Sequence, residues 1–393
     1  MNERKNHQPD ETSINRLMAV HMLYSFIVSA LAVMVPLYLL EQKVDMAWIG
    51  LILSVGPLSF MIIRILLASM ADEIGTKAIA VFYSVSNIIA VLFYLLFVSP
   101  LGFAFATLAE GVRASGFWAI SRAEVFDANG RGNLGNVLAR FSNMRQLADG
   151  LGRLAIGFML AYLAFQGAFA LILLISIALA ILVLFSREKQ NGKMHVDRNN
   201  MKRIFKKRPP TFWHAAVLQL FVWLPYNMLS GFLIPLYLIK SLDMGYQEVG
   251  ITLALLSIAT AAFALILMRI RLSKRTLFLL TLLSVPALVL MPLMGKDGLL
   301  LLVLLAIGTG ATNIVGEYIL VDQVYRSKDV NTDIGVLYAP LKVAEFTFLS
   351  MGGLVIANFG FTPLFFVLAA SVALFVIFGR AVIKGHNHWT GGA

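Results

Sequence analysis

The chain has 393 residues, of which 59% are hydrophobic and only 13% charged, and its net charge is +11. Soluble globular domains are nearer half apolar and a quarter charged, so this composition excludes a soluble enzyme, a disordered chain and a soluble nucleic-acid-binding protein. Cysteine is absent, which also excludes disulfides, thiolate nucleophiles and cysteine metal sites.

Long apolar runs follow a polar segment at residues 1–15. The first run lacks a small-residue cleavage site, so we expect a retained membrane span rather than a signal peptide. A helix crosses about 30 Å of hydrocarbon with about 20 apolar residues, whereas barrel strands are shorter and alternate. The sequence therefore predicts an all-α membrane protein with twelve spans, at 16–40, 47–70, 77–98, 101–123, 134–163, 167–186, 212–239, 247–270, 276–294, 298–321, 333–357 and 361–383.

Lysine and arginine concentrate in one set of connections. If the N-terminus is cytoplasmic, 24 of them lie on the cytoplasmic side, five lie within spans, and three lie outside, namely Lys43, Lys240 and Lys296. Nine of the 24 fall between Arg187 and Arg208. Because basic residues favour the cytoplasmic side, we expect both termini in the cytoplasm. The net charge is then a topology signal and not a sign of nucleic-acid binding.

The parts of the chain on either side of this basic segment resemble each other. Pro36-Leu37-Tyr38-Leu39 in span 1 recurs as Pro235-Leu236-Tyr237-Leu238 in span 7. At offsets of 198 to 200, Asp45-Met46 recurs as Asp243-Met244, Gly50 as Gly250, Gly135 as Gly335 and Gly152 as Gly352. This parallel repeat predicts two pseudo-symmetric six-helix halves, 1–186 and 212–393, joined by a basic linker, 187–211. Transporters with such repeats rock one half against the other.

A short motif lies between spans 2 and 3. It reads Ala68-Ser-Met-Ala-Asp72-Glu-Ile-Gly75-Thr-Lys77 and resembles the signature loop of the major facilitator superfamily, in which a glycine, an acid, a second glycine and basic residues follow at fixed spacing. Ala68 replaces the first glycine, while Asp72, Gly75 and Lys77 are in register and are the expected gating motif. With the twelve spans and the repeat, the resemblance covers nearly the whole chain.

Two motifs of the proton-coupled drug exporters in this superfamily are incomplete. The position of their span 4 arginine, four residues before Gly111, holds Thr107. Of their span 5 motif, Gly152 and Gly157 remain, but Arg153 stands at the proline position. The resemblance therefore implies a transporter of the superfamily and does not imply a drug exporter.

Nine ionisable residues lie well inside the predicted spans. Each costs about 2.5–3.5 kcal/mol on insertion scales unless it is paired or faces a wet cavity. Helical spacing offers the pairs Glu110–Arg113, Arg145–Asp149, Asp149–Arg153 and Lys342–Glu345. The remaining two are Arg64, expected to snorkel toward the membrane surface, and Glu317. Spans 4 and 5 together hold one more arginine than carboxylates, and spans 10 and 11 together hold one more carboxylate than bases. These two surplus charges could meet across a central cavity, or one of them could bind the substrate.

The candidate proton-coupling residues are Glu317, then Asp149 and Glu110. Glu317 comes first because no base stands one turn away on its helix, and burial favours the protonated form of an unpaired carboxylate. Guanidinium groups bind carboxylates or phosphates bidentately, so three arginines are candidate substrate ligands. The resemblance implies that spans 1, 4, 7 and 10 line the cavity, which adds further candidates. The complete predicted binding set is Arg113, Arg145, Arg153, Asn313, Trp223, Tyr226, Asn227, Tyr24, Lys342 and Glu345.

These features predict a monomeric secondary active transporter in the cytoplasmic membrane, coupled to protons, for a small organic solute that is anionic or amphipathic. Membrane lipids surround it, and we expect no cofactor, no metal and no nucleic acid. The sequence has no Gly-x4-Gly-Lys-Ser/Thr loop for ATP. The alternative on the same architecture is a flippase for a lipid or lipid-linked substrate. A non-transporting receptor and a membrane-embedded enzyme are remote alternatives, since no HExxH motif or serine nucleophile elbow is present.

Overall fold

The computed structural model describes residues 11–74, 76–129, 134–185, 207–270, 272–324 and 330–383. Within these ranges all regular structure is helical. Helices satisfy their own backbone hydrogen bonds, which lipid cannot do for them. Helices are present at each of the twelve predicted spans, so this part of the prediction is confirmed.

The first six spans lie in five helical segments. Spans 1 to 4 are Glu11–Glu41, Met46–Ile74, Thr76–Leu96 and Pro100–Asn129, and Leu134–Leu184 contains spans 5 and 6. This last helix is broken at Ala164, whose φ of 55° and ψ of 179° are not helical.

The last six spans are more segmented. Span 7 consists of Pro210–Met228, a π-helical turn at Leu229–Leu233, and Ile234–Lys240, and span 8 is Tyr246–Arg269. Span 9 consists of Lys274–Thr281 and Ser284–Met294 and is followed by a 3-10 turn at Gly295–Leu301. Span 10 is Leu302–Val324, span 11 consists of Val330–Leu337 and Ala339–Phe359, and span 12 is Thr362–Ile383.

Among the described residues, nine stretches are long and apolar enough to cross a membrane. Two of these, Phe141–Leu184 and Arg275–Leu320, contain 44 and 46 residues, about twice the length that one crossing needs. Each therefore holds two of the predicted spans. The helix Pro100–Asn129 is not among the nine, because polar residues that include Glu110 and Arg113 lower its hydropathy.

Unusual backbone conformations recur at equivalent places in the two halves. Lys43 and Asp243 follow spans 1 and 7 and have φ angles of 57° and 51°. Ala164 and Gly360 follow spans 5 and 11 and have φ angles of 55° and 76°. Left-handed backbone is rare for residues other than glycine, so these matched turns support a common architecture for the two halves.

The repeated tyrosines Tyr38 and Tyr237 also make equivalent contacts. The ring centroid of Tyr38 lies 5.0 Å from that of Phe169 in span 6, and the centroid of Tyr237 lies 5.2 Å from that of Phe365 in span 12. Edge-on aromatic pairs of this kind add to the stability of packed helices. The repeated sequence therefore encodes the docking of the first helix of each half against the last.

The halves meet mainly where span 2 packs on span 11 and span 5 on span 8. We call the end of the bundle with connections 42–45, 97–99, 241–245 and 295–301 the loop end, and the opposite end, where residues 185 and 207 border the predicted linker, the linker end. Near the loop end the two contacts depend on glycine. A Cβ on Gly50 would lie 2.8 Å from the Gly353 nitrogen, and a Cβ on Gly157 would lie 2.7 Å from the Gly250 Cα.

Candidate functional site

A cavity of about 210 Å³ lies between the two halves. Spans 1, 2 and 4 bound it on one side, and spans 7 and 11 bound it on the other. Aliphatic and aromatic side chains make up most of its lining. The polar side chains that line it are Thr107, Glu110, Arg113, Asn227 and Lys342.

The span 4 wall of the cavity carries an acid and a base. Arg113 Nη2 lies 3.3 Å from Glu110 Oε2, at the i,i+3 spacing that places both on one face of the helix. Arg113 Nη1 donates to Asn87 Oδ1 at 2.9 Å, and Asn87 Nδ2 donates to Ser176 Oγ at 2.7 Å. Arg113, only 3% exposed, is therefore held from behind by spans 3 and 6.

The second carboxylate oxygen of Glu110 has a different environment. Glu110 Oε1 is buried and accepts no hydrogen bond within 3.5 Å from the described residues. The buried hydroxyl of Tyr94, which also lacks a bond at that distance, interacts with the Glu110 carboxylate. An ionised carboxylate accepts at both oxygens, and a buried acceptor without a donor is destabilising. The Glu110 side chain is 19% exposed and lines the cavity, but Oε1 does not contribute to this exposed surface. Oε1 is therefore placed to accept a proton and not to contact a bound solute.

The wall formed by spans 7 and 11 is organised by one buried carboxylate. Glu345, 2% exposed, accepts from Lys342 Nζ at 2.6 Å through Oε2 and from Asn227 Nδ2 at 2.6 Å through Oε1. The Lys342 ammonium also lies 4.6 Å from the centroid of the Phe60 ring, on the opposite half. Glu345 thus stands behind the two residues that reach the cavity and orients both of them.

The four charged groups at this cavity balance. Glu110 with Arg113 and Lys342 with Glu345 each form a local ion pair on their own helix. The surplus charges of opposite sign that the sequence assigns to the two halves do not meet here. The cavity walls therefore carry no net charge when all four groups are ionised.

A second cavity of about 20 Å³ has room for roughly one water molecule. It lies among spans 5, 7, 8 and 10, and Arg153 and Tyr226 line it together with Ser257. Arg153 Nη1 donates to Ser257 Oγ at 2.6 Å and so joins the two halves. Asp149 interacts electrostatically with Arg153, as the sequence predicts, but the two form no direct ion pair within 4.0 Å among the described residues. Ser257, on another helix, is the group that binds the guanidinium directly.

The other predicted binding residues lie outside the larger cavity. Tyr24 is buried and stacks on Phe117 with centroids 3.6 Å apart. Trp223 donates to Gln219 Oε1 at 2.6 Å. Asn313 is 7% exposed, and neither its amide nitrogen nor its amide oxygen has a hydrogen-bond partner among the residues that the structure describes.

The arginines and acids of spans 5 and 10 are also placed apart from it. The Arg145 guanidinium lies 4.7 Å from the centroid of the Trp118 ring. Glu317 is half-buried and lines neither cavity. Span 10, expected to line the central cavity, contributes to the smaller cavity only, and spans 2 and 11 take its place in the larger one.

Two further expectations concern the linker end. Arg64 does not snorkel to the surface, because its side chain is 4% exposed within the bundle. In the gating motif, the Asp72 side chain and Gly75 lie outside the described residues, and Lys77 lies in the first turn of the helix Thr76–Leu96. Most of the predicted linker also lies outside the described residues.

Sequence reasoning missed three polar residues, Asn87, Ser176 and Ser257. Each is a neutral residue inside an apolar span and binds an arginine directly or through one intermediate. Of these three, Asn87 could have been found from the sequence. An asparagine in a membrane span indicates a hydrogen-bond partner on another helix, because a buried amide without a partner is destabilising. Attention to ionisable residues alone passes over it.

Comparison with known proteins identifies a family. The model of the Major Facilitator Superfamily matches residues 17–296. A comparison with curated protein sequences found no match.

Several solved structures share the fold. A bacterial homologue of the human lysosomal transporter Spinster, in an inward-facing and occupied conformation, is 15% identical with a TM-score of 0.71, covering 97% of this chain and 98% of that one. The nucleoside transporter NupG is 14% identical with a TM-score of 0.70, covering 95% and 100%. A D-xylose–proton symporter is 12% identical with a TM-score of 0.69, covering 94% and 96%. At such low identity these likenesses show a shared twelve-helix, two-half fold and nothing about substrate.

Proposed function

Because the chain belongs to the Major Facilitator Superfamily and is a secondary transporter, we propose that it carries a small organic solute through the cavity between its halves by alternating access, in a proton-coupled cycle. One observation carries this proposal: the cavity of about 210 Å³ is walled by charged side chains from both halves. Rocking of one half against the other changes which end of the bundle can reach a site at their interface.

The size of the cavity supports a small solute over a lipid. Sites for drug-sized ligands have volumes of about 300–1,000 Å³, so a cavity of about 210 Å³ suits a smaller molecule. Its walls also carry two ion pairs, which favour polar groups on the ligand. The acyl chains of a lipid would require a longer and more apolar groove.

We assign the proton to Glu110 ahead of Asp149 and Glu317. Glu110 lines the cavity, and its buried Oε1 accepts no hydrogen bond within 3.5 Å from the described residues. A proton at this oxygen would alter the ion pair with Arg113 and hence the cavity wall that the solute contacts. Glu317, the first candidate from the sequence, lines neither cavity, so Glu317→Gln is the control for Glu110→Gln.

We place the linker end of the bundle on the cytoplasmic side of the cell membrane. The support is the concentration of lysine and arginine in the connections at that end, above all between Arg187 and Arg208. Since the chain has no cysteine, single cysteines at exposed Lys240 and at Lys207 can be labelled in intact cells. An impermeant maleimide should label Lys240→Cys and leave Lys207→Cys unlabelled. Labelling of Lys207→Cys but not of Lys240→Cys would show the opposite orientation.

The functional test is solute-dependent proton movement in proteoliposomes that contain a pH-sensitive dye. Across a panel of small solutes, at least one should move protons and exchange with its labelled form. Glu110→Gln should abolish proton movement while exchange of the same solute continues, and Glu317→Gln should keep both. Proton movement by Glu110→Gln at the rate of the unaltered protein would refute the assignment. If no solute exchanges at all, the transport proposal itself fails.

A further inference from the structure

The wall of the larger cavity formed by spans 7 and 11 presents two hydrogen-bond donors side by side. Lys342 Nζ and Asn227 Nδ2 each lie 2.6 Å from an oxygen of the same carboxylate, that of Glu345. An ammonium has three hydrogens and an amide nitrogen two, so both groups keep hydrogens after binding Glu345. Lys342 and Asn227 line the cavity, whereas Glu345 stands behind them. The two donors therefore match the two oxygens of an anionic group such as a carboxylate.

The facing wall, on span 4, contributes a second base. Arg113 keeps N–H donors beyond those that bind Asn87 and Glu110. Lys342 is the more accessible of the two bases, with 17% of its side chain exposed against 3% for Arg113. Glu110 Oε2 accepts from Arg113, and Oε1 has no surface on the cavity. Both walls therefore carry a base with unused donors, and neither presents an unengaged carboxylate oxygen to a solute.

The net charge of these walls depends on one proton. Glu110 with Arg113 and Lys342 with Glu345 sum to zero when all are ionised, and a proton on Glu110 leaves one positive charge. Tyrosines of spans 3 and 1 also interact with Glu110 but are neutral at pH 7. The helices packed against span 4 also carry charged residues that do not line this cavity, and these include Arg64, Arg145, Asp149, Arg153 and Asp333.

A proton and a monoanionic solute each compensate the charge that the other brings. A buried charge without a counter-charge is strongly destabilising. The proton alone leaves the walls with one positive charge, and the monoanion alone leaves the site with one negative charge, whereas the two together restore zero. A neutral or zwitterionic solute would leave the charge of the proton uncompensated, and a cation would add to it. The proton and a monoanion therefore favour each other's binding at this site.

We propose that the transported solute is a small organic monoanion that moves together with the proton, its carboxylate bound by Lys342 Nζ and Asn227 Nδ2 while the proton is on Glu110. The inference rests on the proposed function and names the substrate class and the coupling of the same site. Protonation of Glu110 removes the counter-charge of Arg113, so the guanidinium charge then acts on the anion from the opposite wall. Glu345 is the positioning residue for the two donors.

The test is proton uptake by the purified protein in weakly buffered solution with a pH-indicator dye. The probes are sodium salts of monocarboxylic acids of three to six carbons, each compared on the same skeleton with its amide, its ω-amino acid and its dicarboxylate. From pH 7 to pH 9 the monocarboxylates are ionised and bring no proton with them. At least one should raise the unfolding temperature and, within this range, remove one proton from solution per anion bound. Its amide and its amino acid should do neither.

Variants assign the two partners of the site. Glu110→Gln should bind the same anion without proton uptake, and Lys342→Met should weaken its affinity about ten-fold or more. Glu317→Gln and Lys240→Met, which change residues outside the cavity, should keep both affinity and uptake. The proton count on the unaltered protein does not depend on whether any variant folds.

Three outcomes would overturn the inference. They are binding of a monocarboxylate without proton uptake at any of these pH values, stabilisation by an amide or amino acid but not by its parent acid, and failure of every monocarboxylate to bind. In each case, proton movement and exchange with another solute in proteoliposomes would leave the transport proposal standing.

Discussion

Gly157 in span 5 and Gly250 in span 8 touch backbone to backbone across the two halves, since a Cβ on Gly157 would lie 2.7 Å from the Gly250 Cα. Gly50 and Gly353 form the equivalent contact between spans 2 and 11. Small residues let membrane helices approach closely and pack by van der Waals contact. In a rocking mechanism these two contacts hold the loop end closed and separate when it opens.

We expect Gly250→Leu to keep the loop end open and to stop transport. The leucine side chain cannot fit between the helices, so the state in which spans 5 and 8 touch becomes inaccessible. Spin labels at Gln42→Cys and Lys240→Cys, one on each half at the loop end, should report a longer distance in the variant. Gly231→Ala is the control, because the nearest atom to its added Cβ is 3.9 Å away. An unchanged distance in Gly250→Leu would contradict this role for the glycine.

The hydrogen bond from Arg153 to Ser257 at 2.6 Å should stabilise the same closed contact between the halves. A hydrogen bond to a charged group contributes about 1.5–3 kcal/mol, so Ser257→Ala should shift the equilibrium toward separated halves by about ten-fold or more. The same pair of spin labels measures the populations. Thr260→Val lines the same small cavity but removes only a bond within its own helix, and it should leave the populations as they are.

Asn87→Leu should lower both stability and solute affinity. It removes the acceptor of Arg113 Nη1 in a site where Asn87 is fully buried, at a loss of about 1–3 kcal/mol. Thermal unfolding and ligand titration measure the two effects. Asn87→Asp separates them: the aspartate still binds Arg113 but competes with Glu110 for it, so affinity should fall although the guanidinium keeps a partner. Equal affinity in Asn87→Asp and the unaltered protein would show that Asn87 has only a structural role.

The spans and their repeat were predictable because each depends on local pattern. A hydrophobic run of about 20 residues is sufficient to indicate a span, and spacing along one helix is sufficient to predict Glu110–Arg113 and Lys342–Glu345. Partners on other helices were not predictable in this way. Asn227 reaches Glu345 over a sequence separation of 118 residues, and no periodicity within either helix encodes that contact.

The pair of Asp149 with Arg153 shows the same limit from the other direction. Asp149 and Arg153 have the spacing of an ion pair, but Ser257 from the other half binds the guanidinium. A helix in a bundle presents its polar groups to several neighbours, and the neighbour with the better geometry takes the bond. Which spans line the cavity also depends on how the two halves pack together. The sequence therefore predicted span 10 in the lining of the larger cavity, where the structure has spans 2 and 11.

The pair of Lys342 and Glu345 allows stability and transport to be separated. Glu345→Leu alone should cost about 1–3 kcal/mol, because it leaves the part-buried Lys342 ammonium without its carboxylate and removes the acceptor of Asn227. Lys342→Met combined with Glu345→Leu should recover most of that loss, since replacing both members of a buried pair by apolar residues is often neutral or better. Thermal unfolding measures the recovery.

Transport should not recover in that double variant, because the span 11 wall of the cavity then has no base to meet the solute. The matched control is the pair of Arg208 and Asp333, whose Nη2 and Oδ1 lie 2.8 Å apart and which does not line the cavity. Replacing both of these by Met and Leu should leave solute affinity unchanged. If the Lys342→Met, Glu345→Leu variant binds solute as tightly as the unaltered protein, Lys342 is a structural residue and the anionic group of the solute is held elsewhere.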